Sequence, residues 1–138
     1  MNTKTIKLAC IIDDDVIYIC LVRKIIESKN LCSGIIVFND GEQSINYFES
    51  LLKQLDNNEV PDIIFLDLNM PIMDGWEFLE RFKLIKHKLP KEISLYVVSS
   101  SINPMDVNRA KATPTVNDYL VKPVKLKDLE TIFLRKTS

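Results

Sequence analysis

The sequence has no long apolar run and no excess of charge of either sign. No uninterrupted apolar segment approaches the roughly 20 residues of a membrane-spanning helix. Lys4 and Lys7 interrupt the N-terminal stretch where a signal peptide would have its apolar core. Lysine and arginine number 18, aspartate and glutamate 19, and the formal net charge is −1. This balance does not favour nucleic acid or a membrane surface as a partner.

Cysteine and histidine are too few and too scattered to indicate a transition-metal site. The three cysteines, Cys10, Cys20 and Cys32, lack the spacing of metal ligands. Cys10 lies in an apolar run and Cys20 in a segment of helical periodicity, so we expect both thiols to be buried. His87, the single histidine, lies in a lysine-rich connector and is expected to be solvated. A reducing, cytoplasmic setting is the simplest for such a chain.

Apolar runs typical of buried strands alternate with segments of helical periodicity. The predicted strands are 7–12, 34–38, 63–66, 93–98 and 118–121, and the predicted helices are 16–29, 41–55, 75–86, 104–112 and 124–135. The alternation predicts an α/β fold: a doubly wound parallel sheet of five strands with five covering helices. The 138 residues are enough for one such domain, over 1–138 with a core of about 7–135, and leave none for a second.

Local signals indicate how several helices begin and which faces they bury. Asn103 followed by Pro104 is a helix start, with the asparagine as cap and the proline in the first position. Trp76 projects away from the apolar stripe of its helix, and we expect it to be partly exposed. The first predicted helix is expected to bury one broad apolar face, made by Tyr18, Leu21, Val22, Ile25 and Ile26.

Polar side chains follow four of the five predicted strands. In chain order they are Asp13, Asp14, Asp15, Asp67, Ser99 and Lys122. The carboxyl ends of parallel strands emerge along one edge of a sheet, so these side chains could share one crevice. Three consecutive acids exceed what helix capping explains, and adjacent carboxylates repel unless a cation lies between them, which indicates a metal ion.

Each of these groups has a chemical use in phosphoryl transfer. Carboxylates and a backbone carbonyl can hold Mg²⁺, and an aspartate beside that ion can act as a nucleophile that forms an acyl phosphate. A lysine ammonium and a serine hydroxyl can stabilise the added anionic oxygens. Without metal or phosphate, Lys122 would simply pair with an acid.

The motifs resemble the receiver domain of two-component response regulators. The matching segments, in order, are Ile12-Asp13-Asp14-Asp15, Leu66-Asp67-Leu68-Asn69-Met70-Pro71 with Asp74-Gly75, Val98-Ser99-Ser100, and Tyr119-Leu120-Val121-Lys122-Pro123. The resemblance covers about residues 7–135. It implies the flavodoxin-like, CheY-like fold with strand order 2-1-3-4-5, here as a receiver without an output domain.

The resemblance also implies roles for the acids and the lysine. Asp67 matches the phosphorylated aspartate, and Asp13 and Asp14 match the acid pair that binds Mg²⁺. Asn69 falls where the family supplies a backbone carbonyl to the metal. Lys122 matches the phosphate-binding lysine.

Two further matches concern the conformational switch of the family. Ser99 matches the switch Ser/Thr and is preferred over Ser100 and Ser101 because it is nearest the strand end. Tyr119 matches the aromatic that turns inward, although a half-buried strand tyrosine would look the same in sequence. The Lys122–Pro123 peptide bond falls where the family commonly has a cis bond.

The implied function is that of a stand-alone response regulator, and not of an enzyme acting on a separate substrate. A sensor histidine kinase or phosphotransfer protein would phosphorylate Asp67 with Mg²⁺ as cofactor. The change at Ser99 and Tyr119 would alter the face made by the fourth helix, fifth strand and fifth helix. The signal would leave through a downstream protein or by onward phosphotransfer, which the sequence does not separate.

Three other functions fit the sequence less well. A haloacid dehalogenase-like phosphohydrolase needs a second acid two residues after its nucleophile, where this chain has Asn69. A flavodoxin-like FMN carrier needs a phosphate loop after the first strand, where Asp13, Asp14 and Asp15 would repel phosphate. DNA binding is not favoured by the charge balance.

Overall fold

Strands and helices alternate along the chain in a computed structural model that describes residues 6–54 and 59–137. The strands are β1 (Leu8–Ile12), β2 (Gly34–Phe38), β3 (Ile63–Leu66), β4 (Ser94–Ser99) and β5 (Asp118–Val121). The helices are α1 (Val16–Ser28), α2 (Gly41–Gln54), α3 (Gly75–Ile85), α4 (Pro104–Lys111) and α5 (Leu126–Thr137), and a short 3-10 helix, Lys86–Lys88, follows α3. The end of the second helix predicted near Leu55 lies outside the described residues.

The strands form one parallel sheet in the order β2-β1-β3-β4-β5, which confirms the predicted flavodoxin-like fold. Ile12 at the end of β1 pairs with Leu66 at the end of β3. The backbone N–H of Asp67 donates to the carbonyl of Ile12 at 2.9 Å. The residues that follow these two strands are therefore neighbours, at the point where the strand order reverses and ligands bind in open α/β sheets.

Successive side chains of a strand point to opposite faces of the sheet, and both faces of this sheet are covered. In β3, Ile64 and Leu66 belong to the apolar cluster that includes Phe78 and Phe82 of α3. Ile63 and its neighbour Phe65 belong to the opposite cluster, with α1 and α5. All four residues of β3 are buried, which explains why this strand is apolar at every position.

The buried face of α1 differs from the prediction at Ile19, Cys20 and Leu21. Ile19 is buried with Tyr18 and Val22, whereas Leu21 is 43% exposed and Cys20 is exposed. The predictions that Leu21 and Cys20 are buried were wrong. Residues in an α-helix are about 100° apart, so a face that includes Ile19 turns away from Leu21 and opposes Cys20.

Other expectations about single residues are confirmed. Cys10 is buried, and burial raises the pKa of its thiol. Trp76 is half-buried, and His87 is exposed. Asn103 caps α4, where its side chain accepts a hydrogen bond from the N–H of Met105 at 3.0 Å. Among the described residues, no helix combines the length and hydrophobicity needed to cross a bilayer.

Candidate functional site

Three carboxylates converge where β1 and β3 end side by side. One oxygen from each of Asp13, Asp14 and Asp67 lies within 4.8 Å of the others. Asp13 is fully buried and Asp67 is 6% exposed, while Asp14 is open to solvent. The structure thus brings together the three acids that the sequence predicted as neighbours, with Asp14 on the solvent side.

The ammonium group of Lys122 reaches these acids from the end of β5. Its Nζ atom lies 2.9 Å from Oδ2 of Asp13 and 3.9 Å from Oδ2 of Asp67. A third carboxylate oxygen, Oδ2 of Asp15, lies 3.7 Å away. The Lys122 side chain is only 13% exposed. The Lys122–Pro123 peptide bond, which falls where the resembling family commonly has a cis bond, is cis.

The charges at this edge of the sheet are unbalanced. Burial, followed by repulsion from Asp13, raises the pKa of Asp67 to about 6, although Lys122 acts in the opposite direction. Burial also raises the pKa of Asp13. Among the described residues, Oδ2 of Asp13 is buried without a well-aligned hydrogen bond and has only the close ion pair with Lys122. One ammonium therefore faces several carboxylates, and the net charge of the site is negative. A further cation would offset that charge.

The loop from β3 to α3 folds tightly beneath Asp67. The N–H of Gly75 donates to the carbonyl of Leu68 at 2.9 Å, and a Cβ atom at position 75 would lie 2.3 Å from the carbonyl oxygen of Asp67. Asp74 caps α3 by accepting from the N–H of Glu77 at 2.9 Å. Only glycine fits this approach, which explains the Asp-Gly pair that follows the strand.

Asn69 and Ser99 also lie along the carboxyl edge of the sheet. Asn69, two residues beyond Asp67, is exposed at the start of the β3–α3 loop. Its backbone N–H and that of Leu68 each favour the ionised form of Asp67 and so lower its pKa, against the larger effect of burial. Ser99 is fully buried as the last residue of β4.

Ser101 connects the two residues predicted to form a switch. Its N–H donates to the hydroxyl of Ser99 at 3.1 Å, and its carbonyl accepts from the hydroxyl of Tyr119 at 2.8 Å. Its own hydroxyl donates to Oδ2 of Asp106 in α4 at 2.7 Å. Tyr119 is 8% exposed and packs in the core cluster of α3. Sequence reasoning named Ser101 as a competing hydroxyl and, from the family resemblance, as a position that tunes dephosphorylation, but it missed this linking position.

Tyr18 is a site residue that sequence reasoning assigned only to the core. Its ring centroid lies 4.6 Å from Nζ of Lys122. Asp15 caps α1 by accepting from the N–H groups of Ile17 and Tyr18, at 3.1 Å and 3.2 Å. The sequence did offer one indication of this role: Tyr18 is an aromatic residue in the first turn of the helix that directly follows the three acids.

Comparisons with known proteins show the family to which the chain belongs. The sequence profile of the response regulator receiver domain matches residues 9–133. The response regulator Rcp1 of Synechocystis sp. is 32% identical over 109 residues, which are 79% of this chain and 71% of that protein. Residues 9–133 are most of the chain, so the match is to the whole fold and not to one motif.

Solved structures show the same similarity. A two-component response regulator from Cytophaga hutchinsonii is 28% identical, with a TM-score of 0.84 over 96% of this chain and 98% of that one. The Mn²⁺-bound form of Rcp1 is 28% identical, with a TM-score of 0.68 over 92% and 88%. The phosphorylated cyanobacterial phytochrome response regulator RcpA is 28% identical, with a TM-score of 0.71 over 94% and 89%. This chain therefore belongs to the family of response regulator receiver domains of two-component signalling systems.

Proposed function

We propose that the chain is a phosphoacceptor switch in which Asp67 receives a phosphoryl group from a phosphohistidine. An oxygen of the Asp67 carboxylate attacks phosphorus, the P–N bond breaks, and the donor imidazole leaves with the bonding electron pair. The product is an acyl phosphate. The observation that carries the proposal is the convergence of three carboxylates and one ammonium at the end of β3.

The protonation state of Asp67 suits a nucleophile at neutral pH. A pKa of about 6 leaves its carboxylate mostly ionised at pH 7, while its burial removes water that would compete for the oxygen lone pairs. Lys122, 3.9 Å from Oδ2 of Asp67, is placed to pair with the oxygens of an added phosphoryl group. Asp67 and Lys122 are thus proposed as the reacting and charge-stabilising residues.

Asp13, Asp14 and Asp67, with the backbone carbonyl of Asn69, are proposed to hold Mg²⁺. The donors are all oxygens, which this hard cation prefers, and the one ammonium of Lys122 does not balance the negative charge of these carboxylates. When bound, the ion would offset negative charge on the transferred phosphoryl oxygens. The similar Rcp1 has a Mn²⁺-bound form, which supports the binding of a divalent cation by this chain.

The proposed output is a change in the face made by α4, β5 and α5. Ser99 would move toward the phosphoryl group, and Ser101, bound to both Ser99 and Tyr119, would carry that movement to β5 and α4. The recipient is a downstream protein or the next carrier of a phosphorelay. The donor is a sensor histidine kinase or phosphotransfer protein, and the proposed location is the cytoplasm.

Intact mass after incubation with acetyl phosphate and Mg²⁺ tests the proposal. Wild type is expected to gain one phosphoryl group, roughly 80 Da, and Asp67→Asn to gain none. Asp14→Asn leaves the nucleophile in place but removes a proposed metal ligand, so its adduct should form more slowly and need more Mg²⁺. An adduct on Asp67→Asn as large as on wild type would overturn the assignment.

A further inference from the structure

We propose that Tyr18 is a positioning residue that holds the ammonium group of Lys122 over the phosphoacceptor site through the face of its ring. The Nζ atom lies 4.6 Å from the ring centroid, within the distance at which a cation is attracted to an aromatic face. The inference rests on the proposed phosphoacceptor function and adds to it a residue of α1 that is neither a proposed metal ligand nor the proposed nucleophile.

The ammonium group of Lys122 is surrounded by carboxylates and an aromatic ring. Asp13, Asp15 and Asp67 supply oxygens at 2.9, 3.7 and 3.9 Å, and the ring of Tyr18 supplies the apolar wall. A lysine side chain has considerable rotamer freedom, which must be lost for its charge to stay in one place. A buried ring limits that freedom in a way that exposed carboxylates such as Asp15 do not.

The ring is itself held rigidly. Tyr18 is 5% exposed, and its backbone N–H is bound by the capping side chain of Asp15. The residue therefore belongs to the first turn of a helix whose start is fixed by the same acid that faces Lys122. Burial raises the pKa of the Tyr18 hydroxyl, so the ring is presented to the ammonium as a neutral phenol.

The aromatic ring of Tyr18, and not its hydroxyl, is the group that holds Lys122 in place. Among the described residues, the buried hydroxyl of Tyr18 has no hydrogen-bond partner. Removing it costs no hydrogen bond, whereas removing the ring exposes one side of the ammonium. Tyr18→Phe is therefore a matched control for Tyr18→Leu, which keeps an apolar side chain but has no aromatic face.

The contribution of Tyr18 should matter most when metal is present. Asp13, the nearest partner of Lys122, is also a proposed Mg²⁺ ligand, so its charge would be divided between two cations. The attraction of the ring face is not shared in this way. Lys122 would then depend more on Tyr18 at the moment when its charge is needed beside Asp67.

A first experiment reads the position of Lys122 in metal-free protein. In the NMR spectrum, nuclear Overhauser effects between the ε-methylene protons of Lys122 and the β-methylene protons of Asp13 report this position without involving the ring. They should be equal in wild type and Tyr18→Phe and weaker in Tyr18→Leu, because the lysine side chain is then less confined. This measurement needs no phosphorylation, so it decides the role of Tyr18 even if the proposed function fails. Equal Overhauser effects in wild type and folded Tyr18→Leu would overturn the inference.

A second experiment measures the initial rate of phosphorylation by acetyl phosphate at saturating Mg²⁺. Tyr18→Leu should be about threefold to tenfold slower, with Mg²⁺ affinity unchanged because the acids are intact, and Tyr18→Phe should match wild type. Tyr18→Met, whose flexible side chain fills irregular space, replaces the leucine variant if that variant does not fold. If Tyr18→Phe were as slow as Tyr18→Leu, the ring would not be the active feature.

Discussion

At the scale of single residues, Asp67 combines a strand-end position with an environment that resists its charge. Burial and the nearby carboxylate of Asp13 raise its pKa to about 6, and Lys122 only partly offsets them. Ionisation of Asp67 therefore lowers the stability of the folded protein. A cost of this kind marks a site shaped for binding or reaction, since a purely structural acid would be exposed or fully paired.

The first prediction concerns the stability of metal-free Asp67→Asn. The pKa of Asp67 is higher in the folded protein than the ordinary value near 3.9, so the folded state binds more protons between these values and its stability falls as pH rises through about 4 to 6. The asparagine variant lacks this loss. It should be about 2 kcal/mol more stable than wild type at pH 7 and nearly equal to it at pH 4.

Urea denaturation in the presence of a chelator measures this difference. Asp128→Asn, which makes the same change of charge at an exposed position of α5, serves as the control. A stability difference between wild type and Asp67→Asn that is the same at pH 4 and pH 7 would contradict the burial argument.

The second prediction concerns the close approach at Gly75. In Gly75→Ala the new Cβ would meet the carbonyl oxygen of Asp67 at 2.3 Å and Cα of Leu68 at 2.8 Å, so the loop must move. We expect a loss of about 2 to 3 kcal/mol in the free energy of unfolding, together with weaker metal binding. Gly34→Ala, whose Cβ would be 3.4 Å from the nearest atom, should lose less than about 1 kcal/mol. Equal losses would show that the contact with Asp67 is not the cause.

The sequence predicted the positions of single residues better than their contacts. Strand ends and acid clustering placed Asp13, Asp67 and Lys122 at one edge of the sheet, because parallel strands end together. They did not predict that Lys122 rests on the ring of Tyr18 or that Ser101 receives the hydroxyl of Tyr119. Those contacts depend on side-chain rotamers and loop paths, which no residue pattern records.

At the scale of elements, α4 is the helix least anchored by packing. It has eight residues, and only Ala110 among them is buried, whereas α1 has 13 residues with four buried. Short helices are marginal without an apolar face to pack. The cap from Asn103 and the hydrogen bond from Ser101 to Asp106 therefore contribute a large share of what holds α4.

The third prediction follows from this weak anchoring. In metal-free protein, the amides of α4 should exchange with deuterium faster than those of α1, because α4 opens locally without global unfolding. Asn103→Ala should increase the exchange of α4 further, at a cost of about 1 kcal/mol to that helix, and leave α1 unchanged. Hydrogen exchange read by mass spectrometry measures both helices together. Equal protection of α4 and α1 would contradict the account of α4 as the movable element.

Helix starts were more predictable than helix faces. Asn103 and Pro104 predict the start of α4, because a capping side chain and a proline in the first position each act locally. The face of α1 was mistaken at Leu21 and Cys20, since the helix is apolar over a wide arc and only the packed sheet decides which part is covered.

At the scale of the whole molecule, the alternation of strands and helices was enough to predict a parallel α/β sheet. It was not enough to order the strands, because many orders satisfy right-handed crossovers. The order β2-β1-β3-β4-β5 came from the resemblance of four motifs to receiver domains, and the structure has it. That order makes β1 and β3 neighbours, and it is the reason that carboxylate oxygens of Asp13 and Asp67 lie within 4.8 Å of each other.

The most direct test of the central claim is to locate the phosphoryl group. Protein treated with acetyl phosphate and Mg²⁺ is reduced with borohydride, which converts an aspartyl phosphate to an alcohol, and is then mapped as peptides by mass spectrometry. We predict reduction at Asp67 alone, dependent on Mg²⁺ and absent from Asp67→Asn. Reduction at Asp13, Asp14 or Asp15 instead, or at no aspartate in folded and metal-loaded protein, would contradict the account.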